Sequence, residues 1–231
     1  MPPVREEASP VLETKQLCRA VAERVLVSDI SVRIYQGEVL AVVGPSGAGK
    51  SSFLRLLNRL DEPTGGAVLL DGQDYRNIAP QELRRRVGMV MQTPHLFPGT
   101  VGANLGFGPR QQGLSLSGEQ VCALLQCVGL SEYHDRDVSR LSVGEAQRVS
   151  IARTLANVPE VVLLDEPTSA LDEASARGVE ETLRQIIQER RMTCVIVTHN
   201  VQQAKRIANR TMLITKGRLA AFGPTLEVLG D

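Results

Sequence analysis

Nine consecutive residues, Gly44, Pro45, Ser46, Gly47, Ala48, Gly49, Lys50, Ser51 and Ser52, combine small side chains with one cation and several hydroxyls. A Gly, four residues, then Gly-Lys-Ser is the phosphate-loop pattern. Small residues let backbone N–H groups wrap a polyphosphate, and a helix that follows adds the partial positive charge of its N-terminus. Lys50 can reach the β and γ phosphates of a nucleoside triphosphate, and the Ser51 hydroxyl can be offered to Mg2+. A second pair, Asp165-Glu166, follows the apolar run Val161-Val-Leu-Leu164. Asp165 can bind Mg2+ directly or through its water. Glu166 leaves the chain in a different direction and can polarise the water that attacks a γ-phosphate. Taken singly, a Gly-rich turn and a solvated Asp-Glu pair are commonplace. Together they point to nucleoside triphosphate chemistry.

The flanking residues supply the elements such a site needs. Val39–Val43 is a short apolar run suited to a buried parallel strand, and Ser52–Leu60 carries Phe53, Leu54, Leu56, Leu57 and Leu60 at helical spacing. Strands are also expected around Val11–Cys18, at Ile30–Ile34, at Ala67–Leu70 running into an Asp71-Gly72 hairpin turn, and at Val87–Met91. Leu83-Arg-Arg-Arg86 reads as a solvated helix end rather than a phosphate contact. From Gln92 to about Asn157 the character changes: loop residues come first, then helices from Ser117, an N-cap, and from Ser142. Strands at Val161–Leu164 and Thr193–Thr198, helices at Glu173–Glu189 and Val201–Ala208, and a hairpin over Met212–Phe222 complete the chain. The expected class is α/β: a P-loop NTPase with a mostly parallel sheet core, an N-terminal antiparallel β layer and a helical subdomain insert. We expect a core of residues 11–91 and 158–231, an insert of about 92–157, and a disordered lead over 1–10. Strand C-termini then carry the loop, Gln92, Asp165-Glu166 and His199, where open α/β sheets place their ligands.

Composition narrows the function classes. The chain has 231 residues, enough for a sizeable core, with 42% apolar and 23% charged residues. Lys plus Arg and Asp plus Glu both number 26, so bulk charge argues against a nucleic-acid partner, and there is no Trp for a base-stacking platform. No apolar run reaches the roughly 18 residues of a spanning helix, so a membrane role needs a partner. The first ten residues lack the apolar region of a secretory signal. Cys18, Cys122, Cys127 and Cys194 form no ligand-spaced group, so reduced, mostly buried thiols and a cytosolic setting are expected.

In order along the chain, Gly44–Ser52, Gln92, Leu141-Ser-Val-Gly-Glu-Ala-Gln-Arg148, Asp165-Glu166-Pro-Thr168, Ser169-Ala-Leu-Asp172 and His199 resemble the motifs of the ATP-binding subunits of ABC transporters. The resemblance covers Val11 to about Leu229. It implies two copies sandwiching two ATP with Mg2+, and a separate multi-span membrane subunit. The protein would then sit in the cytoplasm, peripheral to a membrane. It also implies roles: Ser142 and the N–H of Gly144 meeting the γ-phosphate held by the other copy, Gln92 sensing Mg2+ and water, His199 contacting the γ-phosphate, and Asp172 crossing the interface. Leu96 and Phe97 become candidate contacts for the membrane subunit. A soluble ABC-type ATPase is the competing class; the single ATPase half and short insert count against it.

Three departures from the family pattern stand out. Val143 replaces the usual Gly and adds bulk near a phosphate, Glu145 replaces the commonest Gln, and the position of the adenine-stacking aromatic falls near Val21. Base stacking on an aromatic is worth about 1–3 kcal/mol, so modest ATP/GTP discrimination is expected. Within the family, the chain is similar to the bacterial iron-export type with its plant aluminium-tolerance relatives, and next to phosphate-import ATPases. That leaves a metal ion or nucleotide-sugar cargo first and phosphate as the alternative.

Overall fold

The computed structural model describes residues 9–230. Most of the expected lead, residues 1–8, lies outside them; residues 9 and 10 have no regular structure.

Two sheets form. Strands β1 (Leu12–Val21), β2 (Arg24–Ile34), β4 (Gly65–Leu70) and β5 (Gln73–Asp74) make an antiparallel sheet in the order β2-β1-β4-β5. The second has the order β10-β9-β3-β8-β7-β6, with β3 (Val39–Val43), β6 (Val87–Val90), β7 (Val161–Asp165), β8 (Thr193–Val197), β9 (Arg210–Thr215) and β10 (Arg218–Pro224). Every pairing in it is parallel except that of β9 with β10. Helices α1 (Lys50–Leu57), α2 (Pro80–Arg86), α3 (Val101–Leu105), α4 (Phe107–Gln111), α5 (Gly118–Cys127), α6 (Val143–Leu155), α7 (Glu173–Arg190), α8 (Val201–Ile207) and α9 (Thr225–Leu229) complete the fold.

The central strands are buried on both faces, which is why they read as continuous apolar runs rather than alternating ones. Val39, Ala41 and Val43 of β3 point into a core shared with Leu105 of α3, Leu125 of α5, Ile151 of α6 and Leu183 of α7. Leu40 and Val42 point the other way, into a core with Phe53 and Leu57 of α1 and with Leu12, Ile30 and Val68 of the antiparallel sheet. The parallel sheet is thus clamped between helices and the β layer, and its strand ends are fixed from both sides.

Several boundaries differ from the sequence reading. Helix α1 begins at Lys50 and stops at Leu57, because Asn58 leaves the helical region and Arg59 turns left-handed at φ 59°; Leu60 is therefore exposed. Strand β2 starts at Arg24, well before Ile30, because a β1–β2 hairpin with a turn at Ala22 and Glu23 extends pairing to Val21↔Arg24. Helices α3 and α4 sit in what read as loop; each spans five residues, too short for helical periodicity to register. The thiols are not mostly buried: Cys194 is, but Cys18 and Cys127 are half-buried and Cys122 is exposed on the outer face of α5, all four free. Burial pushes the Cys194 thiol up to about 12. The Arg run does end α2, yet Arg86 is no solvated tip: its guanidinium binds Asp71 and, at 2.6 Å, Glu160, joining the β4–β5 turn to the approach to β7.

Candidate nucleotide-binding site

The loop after β3 is shaped by glycines where no other residue fits. Gly44 has φ 147°, and a Cβ there would lie 2.1 Å from the carbonyl oxygen of Ile214. Gly49 has φ 103°, and its Cβ would lie 2.1 Å from the carbonyl oxygen of Leu26. The N–H of Gly217 donates to the carbonyl of Ala48 at 2.8 Å, so β2 and the β9–β10 turn brace the loop from outside. The loop delivers Lys50 as the first residue of α1, with no side-chain cap on the helix N-terminus. Uncapped N–H groups of this kind favour an anion.

Lys50 is buried, and its ammonium donates to the carbonyls of Gly44 (3.0 Å) and Pro45 (3.1 Å). It also stands 3.9 Å from Oε1 of Glu166. Ser51 Oγ donates to Oδ1 of Asp165 at 2.8 Å. Burial raises the Asp165 carboxyl above the usual carboxylate range, opposed by the Ser51 hydrogen bond. Nδ1 of His199, 65% exposed, lies 3.4 Å from Oε2 of Glu166. Glu166 thus sits between a buried ammonium and an exposed imidazole. Its backbone is left-handed, φ 42°, a conformation that costs a non-glycine residue about 1–2 kcal/mol. The distortion turns the chain sharply after Asp165 and sends the two carboxylates to different partners.

Gln92 does not join the Ser51–Asp165 pair by a hydrogen bond. Its Nε2 donates to Ser169 Oγ at 2.9 Å, and Ser169 Oγ donates to the carbonyl of Glu166 at 3.0 Å. Ser169 therefore ties Gln92 to the backbone that carries Glu166, a link no spacing rule could have found. Ser51 and Asp165 offer hard oxygen donors, and a helix start with an adjacent carboxylate fits Mg2+ bound mainly through phosphate and water. Among the described residues no cluster of three or more His, Cys, Asp or Glu could hold a metal unaided.

Ser142 and Gly144 form a separate group. Ser142 is the N-cap of α6, accepting from the N–H of Glu145 at 3.2 Å, while Glu145 Oε2 accepts from the N–H of Ser142 at 2.7 Å. Glu145 also accepts from Tyr133 Oη and lies 3.7 Å from Arg136. The Tyr133 hydroxyl first, then the Ser142 N–H, hold its carboxyl below the usual range. At 145 the carboxylate closes a capping box and gathers Tyr133 and Arg136. Val143, 53% exposed, projects from the same tip. Gly144 packs against α7, where a Cβ would meet Ser175 Cβ at 3.1 Å. Asp172 caps α7, accepting from the N–H groups of Ala174 and Ser175; an Asp before a helical run is a signal the sequence did carry. No hydrogen bond joins Ser142, Gly144 or Asp172 to the phosphate loop among the described residues.

Comparisons with known proteins agree with this geometry. The family model described as "ABC transporter" matches residues 27–169. Rice protein STAR1 (Oryza sativa subsp. japonica) is 44% identical over 224 residues, covering 96% of this chain and 65% of that protein, so the chain spans about two thirds of that relative's length. The phosphate import ATP-binding protein PstB of Thermotoga maritima is 36% identical over 236 residues, covering 95% of this chain and 92% of that one. Among solved structures, the dimeric ATP-binding cassette MJ0796 in a post-hydrolysis state with ADP and Pi superposes with a TM-score of 0.81 at 29% identity, covering 93% of this chain and 98% of that one.

Proposed function

The chain belongs to the ABC transporter family of ATP-binding proteins, and from that membership we propose that it is the ATP-hydrolysing cassette of a transporter, closing as a pair around two ATP molecules. The observation that carries the reading is the placement of Glu166 between Lys50 and His199, beside the Ser51–Asp165 pair. In this reading the backbone N–H groups of Ser46 to Ser52 hold the phosphates, and Lys50 leaves the Gly44 and Pro45 carbonyls for the β and γ phosphates. Ser51, Asp165 and Gln92 would hold Mg2+, which when bound supplies charge neutralisation on the phosphate oxygens. Glu166 takes a proton from water as the water oxygen bonds to the γ-phosphorus. The bond from that phosphorus to the bridging oxygen breaks, and its electron pair leaves on ADP. His199 holds the attacking side closed.

Ser142 and Gly144 make no hydrogen bond to their own chain's loop among the described residues, and this favours a role on a second copy, as in the dimeric cassette. There the α6 tip, where Ser142 and Val143 are exposed, would offer the Ser142 hydroxyl and the Gly144 N–H to the facing γ-phosphate, with Val143 narrowing the fit. The proposed partner is a separately encoded multi-span membrane subunit; among the described residues no helix is long and apolar enough to cross a membrane. Its helix would dock in the groove lined by Met89, Met91, Phe97, Phe107 and Arg153, while Leu96 packs inward. We divide the chain functionally into the core, 11–91 and 158–231, and the 92–157 insert, with this groove lined from both. Cargo is chosen by the membrane helices; a metal ion or nucleotide-sugar is favoured, and the PstB similarity supports phosphate as the alternative. Lys50→Ala tests the reading: ATP binding and turnover should both be lost while the circular dichroism spectrum is kept. Unaltered affinity and turnover would refute it.

A further inference from the structure

Glu145 puts a carboxylate on the first turn of α6, in the same capping box as the Ser142 hydroxyl. An anion there offsets the partial positive charge of the helix N-terminus, the charge that would draw a phosphate. Oε1 of Glu145, the oxygen that faces away from Ser142, accepts from Tyr133 Oη at 2.5 Å and lies 3.7 Å from Nη1 of Arg136. Among the described residues Arg136 is the one cation in an ion pair with Glu145. More than the ion pair sets its place. The guanidinium lies 4.4 Å from the centre of the Tyr133 ring, the Arg136 N–H donates to the Tyr133 carbonyl at 3.1 Å, and its carbonyl accepts from the N–H of Val101 in α3 at 3.0 Å. The cation is the more open of the two, 41% exposed against 17% for Glu145.

We propose that Arg136 sets the charge of the α6 tip: by cancelling the Glu145 carboxylate it lets the tip accept the γ-phosphate of ATP held by a second copy. The inference rests on the reading of a pair closing around two ATP, and it deepens that reading by naming the residue that decides how tightly the pair closes. Without Arg136 the incoming phosphate meets an uncancelled carboxylate at the same helix end. A charge beside a helix terminus moves an equilibrium by about two- to fivefold. A pair contains two such tips, so loss of Arg136 raises the dissociation constant of the pair by about 4- to 25-fold.

Sedimentation velocity with ATP and Mg2+ in a Glu166→Gln background tests this, beside calorimetric titration of ADP, which lacks the γ-phosphate and reports on the loop of a single copy. Arg136→Gln should raise the dissociation constant of the pair by that factor and leave ADP affinity unchanged. Glu145→Gln should lower it, because a carboxamide still accepts from the Ser142 N–H but carries no charge. The double variant should return to the value of the Glu166→Gln chain. If the ion pair only clipped the turn at 133–136 to α6, both single variants would weaken assembly and the double variant would not recover. That pattern, or an unchanged pair in Arg136→Gln, would overturn the assignment. So would an equal loss of ADP affinity, which would place the effect at the phosphate loop. Failure of the Glu166→Gln chain itself to assemble with ATP would instead remove the pair reading, and the role of Arg136 with it.

Discussion

Replacing Glu166 by Gln separates chemistry from architecture at this site. The substitution keeps side-chain length and the left-handed backbone at φ 42°, so local strain is the same in both chains. It removes a charge 3.9 Å from Lys50 and 3.4 Å from His199. The His199 contact is exposed on one side and contributes about 0–1 kcal/mol; Lys50 is buried, but without the Glu166 charge it keeps the Gly44 and Pro45 carbonyls as acceptors, so that loss adds little. For a domain of this size that shifts the melting temperature by no more than about 4 °C. The effect on hydrolysis is of another order. A carboxamide cannot take the proton of the attacking water, and loss of a general base lowers the rate about 10²–10⁴-fold, or roughly 2.7–5.5 kcal/mol in barrier. Single-turnover release of labelled phosphate measures the rate, and light scattering with ATP and Mg2+ measures assembly. We expect slow hydrolysis, near-parental melting and accumulation of an ATP-bound pair. Hydrolysis at the parental rate would remove Glu166 as the base. A slow rate with a melting temperature lowered by ten degrees or more would mean that the substitution acts through the fold.

Two further outcomes follow from the site's geometry. In Gly49→Ala the new Cβ must retreat about 1 Å from the Leu26 carbonyl to reach ordinary C···O contact; a shift of that size costs about 10²-fold in a positioned site, so ATP turnover should fall that far, and near-parental turnover would show that the loop is not held against β2. Asp165→Asn should raise the melting temperature at pH 7 while impairing Mg2+-dependent turnover. Burial raises the folded carboxyl, so its favourable contribution is complete below the unfolded pKa and lost as pH rises through the folded one; the gain in the variant should therefore vanish near pH 3, and a variant no more stable than the parent at pH 7 would contradict the sign.

The strand–loop–helix context of Gly44 to Leu57 was legible because each part has a local cause. Five apolar residues fill a strand buried on both faces, the glycines stand where a Cβ cannot, and Phe53, Leu54, Leu56 and Leu57 recur at helical spacing. The two hairpin turns at Asp71-Gly72 and Lys216-Gly217 were legible for the same reason: both pairs adopt positive φ, which the turn geometry demands. The order of sites at the strand ends followed from alternation of strands and helices alone.

Other features had no local cause to read. Helices α3 and α4 are shorter than the window over which periodicity can be seen; α3 is held by packing against α6, and α4 packs on α3. Arg86 looked like one of three solvated cations until folding brought Asp71 and Glu160 to it, 15 and 74 residues away in sequence. Ser169 gained its place between Gln92 and Glu166 in the same way, across 77 residues. The residues thus determined which groups could bind and cleave a phosphate anhydride, since that depends on side-chain chemistry and on short-range backbone freedom. Which carboxylate faces the lysine was decided only when non-local strands paired, because a hydrogen bond or ion pair is set by distances that sequence separation does not encode.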